Sequence, residues 1–103
     1  MDRISKLQDM LAQSPGDSFL QHALALEFIK QGDDIRARQY FEELLEANPK
    51  YIGSYYHLAK LLERSGDTSS AIQTYEKGME QAKMVQDQHS FNELRGAWEE
   101  LTF

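Results

Sequence analysis

The apolar positions of this chain follow helical spacing, and their pattern repeats along the sequence. Residues 18–51 and 52–85 share this pattern at an offset of 34 residues, so that Leu24 aligns with Leu58 and Phe41 aligns with Tyr75. A period of this length fits a pair of antiparallel helices, which buries its apolar face only by packing on a neighbouring pair. The pattern therefore predicts an all-α stack of helical hairpins.

Turn residues divide each repeat into two helices. Gly32 and Asp33 recur as Gly66 and Asp67. A glycine followed by an aspartate supplies a left-handed helix end and then the N-cap of the next helix. Pro49 ends the second helix of the first repeat, because the residue before a proline disfavours the helical region.

Both ends of the chain carry half of the same pattern. In residues 1–16, Leu7 and Leu11 precede Pro15, which lies 34 residues before Pro49. This segment is predicted to be the second helix of an incomplete repeat. Residues 88–103 are predicted to form a C-terminal capping helix, with Leu94 and Trp98 in the core. The prediction is one domain over residues 1–103 with six antiparallel helices.

The repeated residues resemble the tetratricopeptide repeat family. Twelve positions carry the resemblance: Leu24, Ala25, Phe28, Ala37, Phe41 and Pro49 in the first repeat, and Tyr55, Leu58, Ala59, Leu62, Ala71 and Tyr75 in the second. Departures occur at Leu44 and Gly78, where the family has a small alanine. The resemblance covers residues 18–85 and implies a small two-repeat interaction scaffold that catalyses no reaction and holds no cofactor.

Composition and charge narrow the classes of partner. The chain has 103 residues, no cysteine and a formal net charge of −6, so disulfides and thiolate metal sites are excluded. Negative charge repels phosphate backbones and anionic lipid headgroups, which disfavours nucleic acid and membrane as partners. No apolar signal segment or membrane-spanning run is present in the sequence, and a cytoplasmic location is expected.

The titratable residues do not form a recognisable catalytic or metal-binding motif. The three histidines, His22, His57 and His89, include no pair at i and i+4, which a helical zinc site requires. Adjacent acidic residues such as Glu42 and Glu43 point apart on a helix. We therefore expect no enzyme activity and no bound metal.

The first helix of the first repeat is apolar on nearly all sides, which indicates burial on more than one face. Beside its core residues it carries a second apolar stripe, and the family resemblance implies that this stripe lines a concave groove. The predicted groove residues are Phe19, His22, Leu26, Ile29, Tyr51, Tyr56, Lys60, Glu63 and Asn92.

The predicted function is binding of a peptide or a helix of another protein in this groove. The alternative is a structural homo-oligomer that self-associates through the same apolar groove. Some family members bind a carboxylate-terminated chaperone tail with Lys and Asn, but the corresponding positions here are His22, Leu26 and His57. This mismatch disfavours a co-chaperone of that type.

Overall fold

A computed structural model describes residues 2–103, and this part of the chain forms six α-helices and no strand. The helices are α1 (Arg3–Gln13), α2 (Ser18–Lys30), α3 (Asp34–Ala47), α4 (Gly53–Arg64), α5 (Thr68–Met84) and α6 (Gln88–Thr102). The predicted all-α fold class with six helices is therefore confirmed.

Aspartate side chains fix the start of every helix except α4. In each case the carboxylate accepts a hydrogen bond from the backbone N–H three residues further along, which satisfies one of the unpaired donors of the first turn. These N-caps are Asp2, Asp17, Asp33, Asp67 and Asp87. The turns α2–α3 and α4–α5 contain Gly32 and Gly66 at φ angles of 78° and 84°, a region that glycine enters without a steric penalty.

The chain divides into two compact units, which we describe separately. The first unit ends at Asn48 and contains α1, α2 and α3, whereas the second runs from Pro49 to Phe103 and contains α4, α5 and α6. The organisation of residues 1–103 as one domain, with repeat boundaries at 1–16, 18–51, 52–85 and 88–103, stays a prediction.

In the first unit, α2 packs against both α1 and α3. The buried side chains are Leu7 from α1, Leu20, Leu24, Ala25 and Phe28 from α2, and Ala37, Phe41 and Leu44 from α3. At the end of α3, Asn48 Nδ2 donates a hydrogen bond of 3.1 Å to Ser18 Oγ at the start of α2. This bond holds the two ends of the hairpin together.

In the second unit, α5 packs against both α4 and α6. Its core contains Tyr55, Leu58, Ala59, Leu61 and Leu62 from α4, Ala71, Tyr75 and Ala82 from α5, and Leu94 and Ala97 from α6. Trp98, which was expected in this core, is only half-buried. Its indole N–H needs a polar partner and donates a hydrogen bond of 3.1 Å to Glu76 Oε2 at the edge of the unit.

Candidate functional site

In the first unit, the side of α2 that faces away from the core is apolar. Leu20, Leu24 and Phe28 recur every four residues and are buried, so helical spacing places Phe19, Leu26 and Ile29 on another side. Phe19 is 64% exposed, whereas Leu26 and Ile29 are half-buried. We call Phe19, Leu26 and Ile29 the α2 apolar stripe.

His22 borders this stripe and connects it to the core. Its ring meets the buried Phe41 ring of α3 edge-on, with centroids 5.7 Å apart and an interplanar angle of 66°. His22 is half-buried as a result. The contact makes His22 part of the α2–α3 packing as well as a member of the predicted groove set.

In the second unit, three predicted groove residues come together on α4. Tyr56, Lys60 and Glu63 are spaced at i, i+4 and i+7, which places them along one side of the helix. Lys60 Nζ lies 5.5 Å from the centroid of the Tyr56 ring and 3.6 Å from Glu63 Oε2. The ammonium group thus has a cation–π contact and an ion pair at once.

Tyr75 of α5 connects this group to the core, and the sequence analysis did not identify its role. The hydroxyl of the buried Tyr75 donates a hydrogen bond to Glu63 Oε2, and the Tyr75 ring meets the Tyr56 ring edge-on at 6.4 Å. Burial raises the pKa of the Tyr75 phenol, and the Glu63 carboxylate raises it further. We call Tyr56, Lys60, Glu63 and Tyr75 the α4–α5 polar cluster.

A sequence signal for this bond existed. Tyr75 occupies the place of Phe41 in the 34-residue alignment, and both rings are fully buried. A buried phenol differs from a buried phenylalanine ring by a hydroxyl that needs a partner. The substitution of Tyr for Phe at a core position therefore indicates a polar acceptor nearby.

The two remaining predicted residues of the second unit lie outside α4. Tyr51 is half-buried and precedes α4, while the exposed Asn92 accepts a hydrogen bond of 2.9 Å from Gln88 Nε2 on the same helix. His57 neighbours Tyr56 with ring centroids 6.1 Å apart. Burial lowers the pKa of His57, and the nearby Arg64 charge lowers it further.

Metal binding and membrane crossing each require structural features of their own. Among residues 2–103, no three His, Asp or Glu side chains lie close enough together to hold a metal ion. No helix within these residues has both the length and the apolar character needed to cross a membrane.

Comparison with known proteins identifies the repeats. The family model described as tetratricopeptide repeat matches residues 28–90. A TPR repeat-containing protein of Pseudomonas aeruginosa is 29% identical over 91 residues, which make up 88% of this chain and 87% of that protein.

Solved structures agree with this match. The solution NMR structure of a tetratricopeptide repeat domain protein from Salinibacter ruber is 44% identical, with a TM-score of 0.81, and the match covers 84% of this chain and 88% of that one. The TPR2B domain of yeast Sti1, solved in complex with pHsp70, superimposes with a TM-score of 0.88 at 16% identity, over 96% of this chain and 79% of that one. At this identity the second comparison concerns the fold alone.

Proposed function

Because this chain belongs to the tetratricopeptide repeat family, whose fold serves protein–protein interaction, we propose that it binds a peptide or a helix of another protein without catalysing a reaction. In the first unit the contacts that we propose lie on α2, and in the second unit they lie on α4, on Tyr51 just before it and on Asn92 of α6. The proposed set is the predicted one: Phe19, His22, Leu26, Ile29, Tyr51, Tyr56, Lys60, Glu63 and Asn92.

The single observation that carries this proposal is the exposure of Phe19. An aromatic side chain that is 64% exposed leaves apolar surface in water, at a cost of roughly 25 cal/mol for each Å² that a partner could cover. Leu26 and Ile29 are half-buried and add partly exposed apolar surface on the same side of α2. A partner that covers it with apolar side chains would gain this free energy.

The α4–α5 polar cluster suits a different part of a partner. Tyr56 is 38% exposed, and contacts with Lys60 and Tyr75 restrict its ring. A rigid tyrosine loses little conformational entropy on binding, which is one reason why tyrosines are enriched among the residues that dominate binding energy. Lys60 and Glu63 neutralise each other, so this surface favours polar backbone groups over a charged side chain.

The neighbouring structure of yeast Sti1 TPR2B with pHsp70 shows this fold in a protein that binds another protein. It does not indicate the same ligand here, because His22, Leu26 and His57 occupy the positions at which some family members have Lys and Asn. We therefore propose a partner that presents apolar side chains to α2 instead of a terminal carboxylate.

The proposal can be tested with peptides selected from a displayed random library and measured by fluorescence anisotropy. Replacing Phe19 by Glu should weaken their binding by about 2 kcal/mol, or about thirtyfold in Kd, as expected for an aromatic anchor. The helix should tolerate the change, because Phe19 lies in the first turn of α2, where a carboxylate complements the helix dipole.

Ile35 provides a matched control for this substitution. It is 77% exposed and is the second residue of α3, as Phe19 is of α2, and an Asp cap precedes both helices. Ile35→Glu should bind the selected peptides as the unmodified protein does. Equal loss of binding in the two variants, or a library that yields no binder, would contradict the proposed site.

Self-association through the same stripe is the second candidate, since an exposed Phe19 could also be covered by another copy. The net charge of −6 opposes this, because copies repel each other at low ionic strength. Sedimentation at micromolar concentration in high salt distinguishes the candidates. A dimer that Phe19→Glu converts to a monomer would support self-association. An unmodified protein that stays monomeric at all salt concentrations would support binding of another protein.

A further inference from the structure

A groove runs along the first unit between α1 and α3, with α2 as its floor. Two cavities of about 330 and 310 Å³ open into it, and both are lined by Gln8 of α1 and by Tyr40 and Glu43 of α3. The space lies beside the main packing of α1, which is against α2. This groove contains none of the residues of the α2 apolar stripe.

The centre of this groove combines an aromatic ring with a carboxylate. Tyr40 is half-buried and stacks on the buried Phe28 ring at 5.6 Å with an interplanar angle of 16°. Glu43 is exposed, and within residues 2–103 no basic side chain forms an ion pair with it. The adjacent Glu42, by contrast, pairs with Arg38 at 3.1 Å. Glu43 is therefore available to a cation from outside the chain.

The first unit already contains a guanidinium group that contacts both an aromatic ring and a carboxylate. Arg36 lies 5.7 Å over the Phe28 ring, and its Nε is 3.5 Å from the Asp33 carboxylate. Ring, guanidinium and carboxylate are thus all present at that end of the groove. Tyr40 and Glu43 provide the ring and the carboxylate without the guanidinium.

We propose that the groove between α1 and α3 binds an arginine side chain from an extended basic segment of another protein. The guanidinium would lie on the Tyr40 ring and pair with the Glu43 carboxylate, while the Gln8 side-chain oxygen offers a further acceptor. Arginine fits better than lysine, because its planar group stacks on a ring and forms two parallel hydrogen bonds with a carboxylate.

The charges of the protein favour binding of a basic segment, both from a distance and within the groove. The net charge of −6 attracts a basic segment to the protein. Arg38 lies nearer to Glu43 along α3, but it pairs with Glu42. Arg36 lines the same cavity as Glu43, but it precedes Glu43 by seven residues, or about 10 Å along the helix. Its charge is also offset by Asp33. Repulsion from Arg36 is therefore small compared with attraction to Glu43.

The experiment is an NMR titration of the labelled protein with a capped pentapeptide that has one arginine between two pairs of glycines. The amide chemical shifts of Gln8, Tyr40 and Glu43 should change with peptide concentration and reach saturation. A peptide with citrulline, the neutral isostere of arginine, should bind at least about tenfold more weakly. Glu43→Gln should produce the same weakening. Glu46→Gln is the matched control, because Glu46 is an exposed carboxylate on the same helix outside the groove.

Further variants separate the groove from general attraction to an acidic protein. Tyr40→Phe should retain binding because it keeps the ring, and Phe19→Glu should leave the titration unchanged because it belongs to the other surface. Shifts that spread over all acidic side chains, or equal effects of Glu43→Gln and Glu46→Gln, would overturn the proposal. Loss of the arginine titration in Phe19→Glu would overturn it too, since the peptide would then occupy the α2 apolar stripe.

Discussion

Tyr75 shows how a single hydroxyl links the core of the second unit to its surface. The phenol is fully buried, and its hydrogen bond to Glu63 places the carboxylate within 3.6 Å of Lys60 Nζ. Lys60 in turn lies over the Tyr56 ring. The orientation of an exposed tyrosine therefore depends on a residue that no partner can touch.

The hydrogen bond of Tyr75 predicts a loss of stability at alkaline pH. Burial and the Glu63 carboxylate raise the pKa of Tyr75 in the folded state above the ordinary value of about 10. A raised pKa contributes stability that is fully present below about pH 10 and is lost as the pH rises above it, because the unfolded chain releases the proton first. Urea unfolding should show this decline from about pH 10 upward.

The variant Tyr75→Phe isolates this contribution. It keeps the ring and removes the ionisable group, so its stability should fall less steeply over the same pH range. At neutral pH it should lose about 1 kcal/mol through the missing hydrogen bond. Some alkaline decline should remain, because burial also raises the pKa of Tyr55. Equal pH dependence in the variant and the unmodified protein would contradict the role of Tyr75.

At the scale of helices, Gly78 allows α4, α5 and α6 to approach closely. A Cβ atom added to Gly78 would lie 2.7 Å from the Cβ of Tyr55, 2.9 Å from its Cγ and 3.0 Å from Cδ1 of Leu94. Real side chains do not approach so closely, and the Tyr55 atoms lie near its backbone, where little movement is possible. The family departure at this position thus reflects local packing.

Gly78→Ala should therefore destabilise the protein although alanine is the better helix former. Overpacking costs about 1–3 kcal/mol, whereas the gain in helix propensity is about 1 kcal/mol. Gly96→Ala is the matched control, because Gly96 also lies within a helix and an added Cβ meets nothing within 4 Å. The control should gain up to about 1 kcal/mol in thermal or urea unfolding. A stabilised Gly78→Ala variant would show that the helices can separate at little cost.

The regular helices were predictable from sequence because their signals are local. Gly32 and Asp33 set the turn between α2 and α3 in the way that their residue types require. The connection between α5 and α6 was less predictable, because Gln86, and not a glycine, adopts a left-handed φ of 61° there. The backbone N–H of Asp87 donates a hydrogen bond of 2.8 Å to the Ala82 carbonyl, as that of Asp33 does to the Phe28 carbonyl. The α5–α6 turn therefore has the same hydrogen bond as the α2–α3 turn, although glutamine is not a residue type that indicates a left-handed turn.

Surface chemistry was harder to predict than the fold, since it depends on contacts between helices. The spacing of Tyr56, Lys60 and Glu63 on one helix was visible in the sequence, and these three residues do lie together. The groove between α1 and α3 was not visible, because its central residues, Gln8, Tyr40 and Glu43, come from distant segments. Periodicity locates the core, but it does not show which polar side chains meet across helices.

At the scale of the whole molecule, each unit consists of three helices, and its central helix packs against both outer helices. In the second unit, the outer helix α6 places Leu94 and Ala97 in the core against α5. Its other side carries the exposed Arg95, which pairs with Glu99 at 3.1 Å, and the exposed Asn92. A polar outer side of this kind is what a terminal helix of a repeat stack needs.

Deleting residues 88–103 should therefore destabilise the protein and promote association, because removing Leu94 and Ala97 exposes apolar surface of α5. Circular-dichroism melts should show a lower Tm, and light scattering should show assemblies larger than a monomer. Arg95→Ala is the control for the outer side of α6 and should change stability by less than about 0.5 kcal/mol. If the shortened chain stayed monomeric with an unchanged Tm, α6 would be an appendage and would not act as a cap on the second unit.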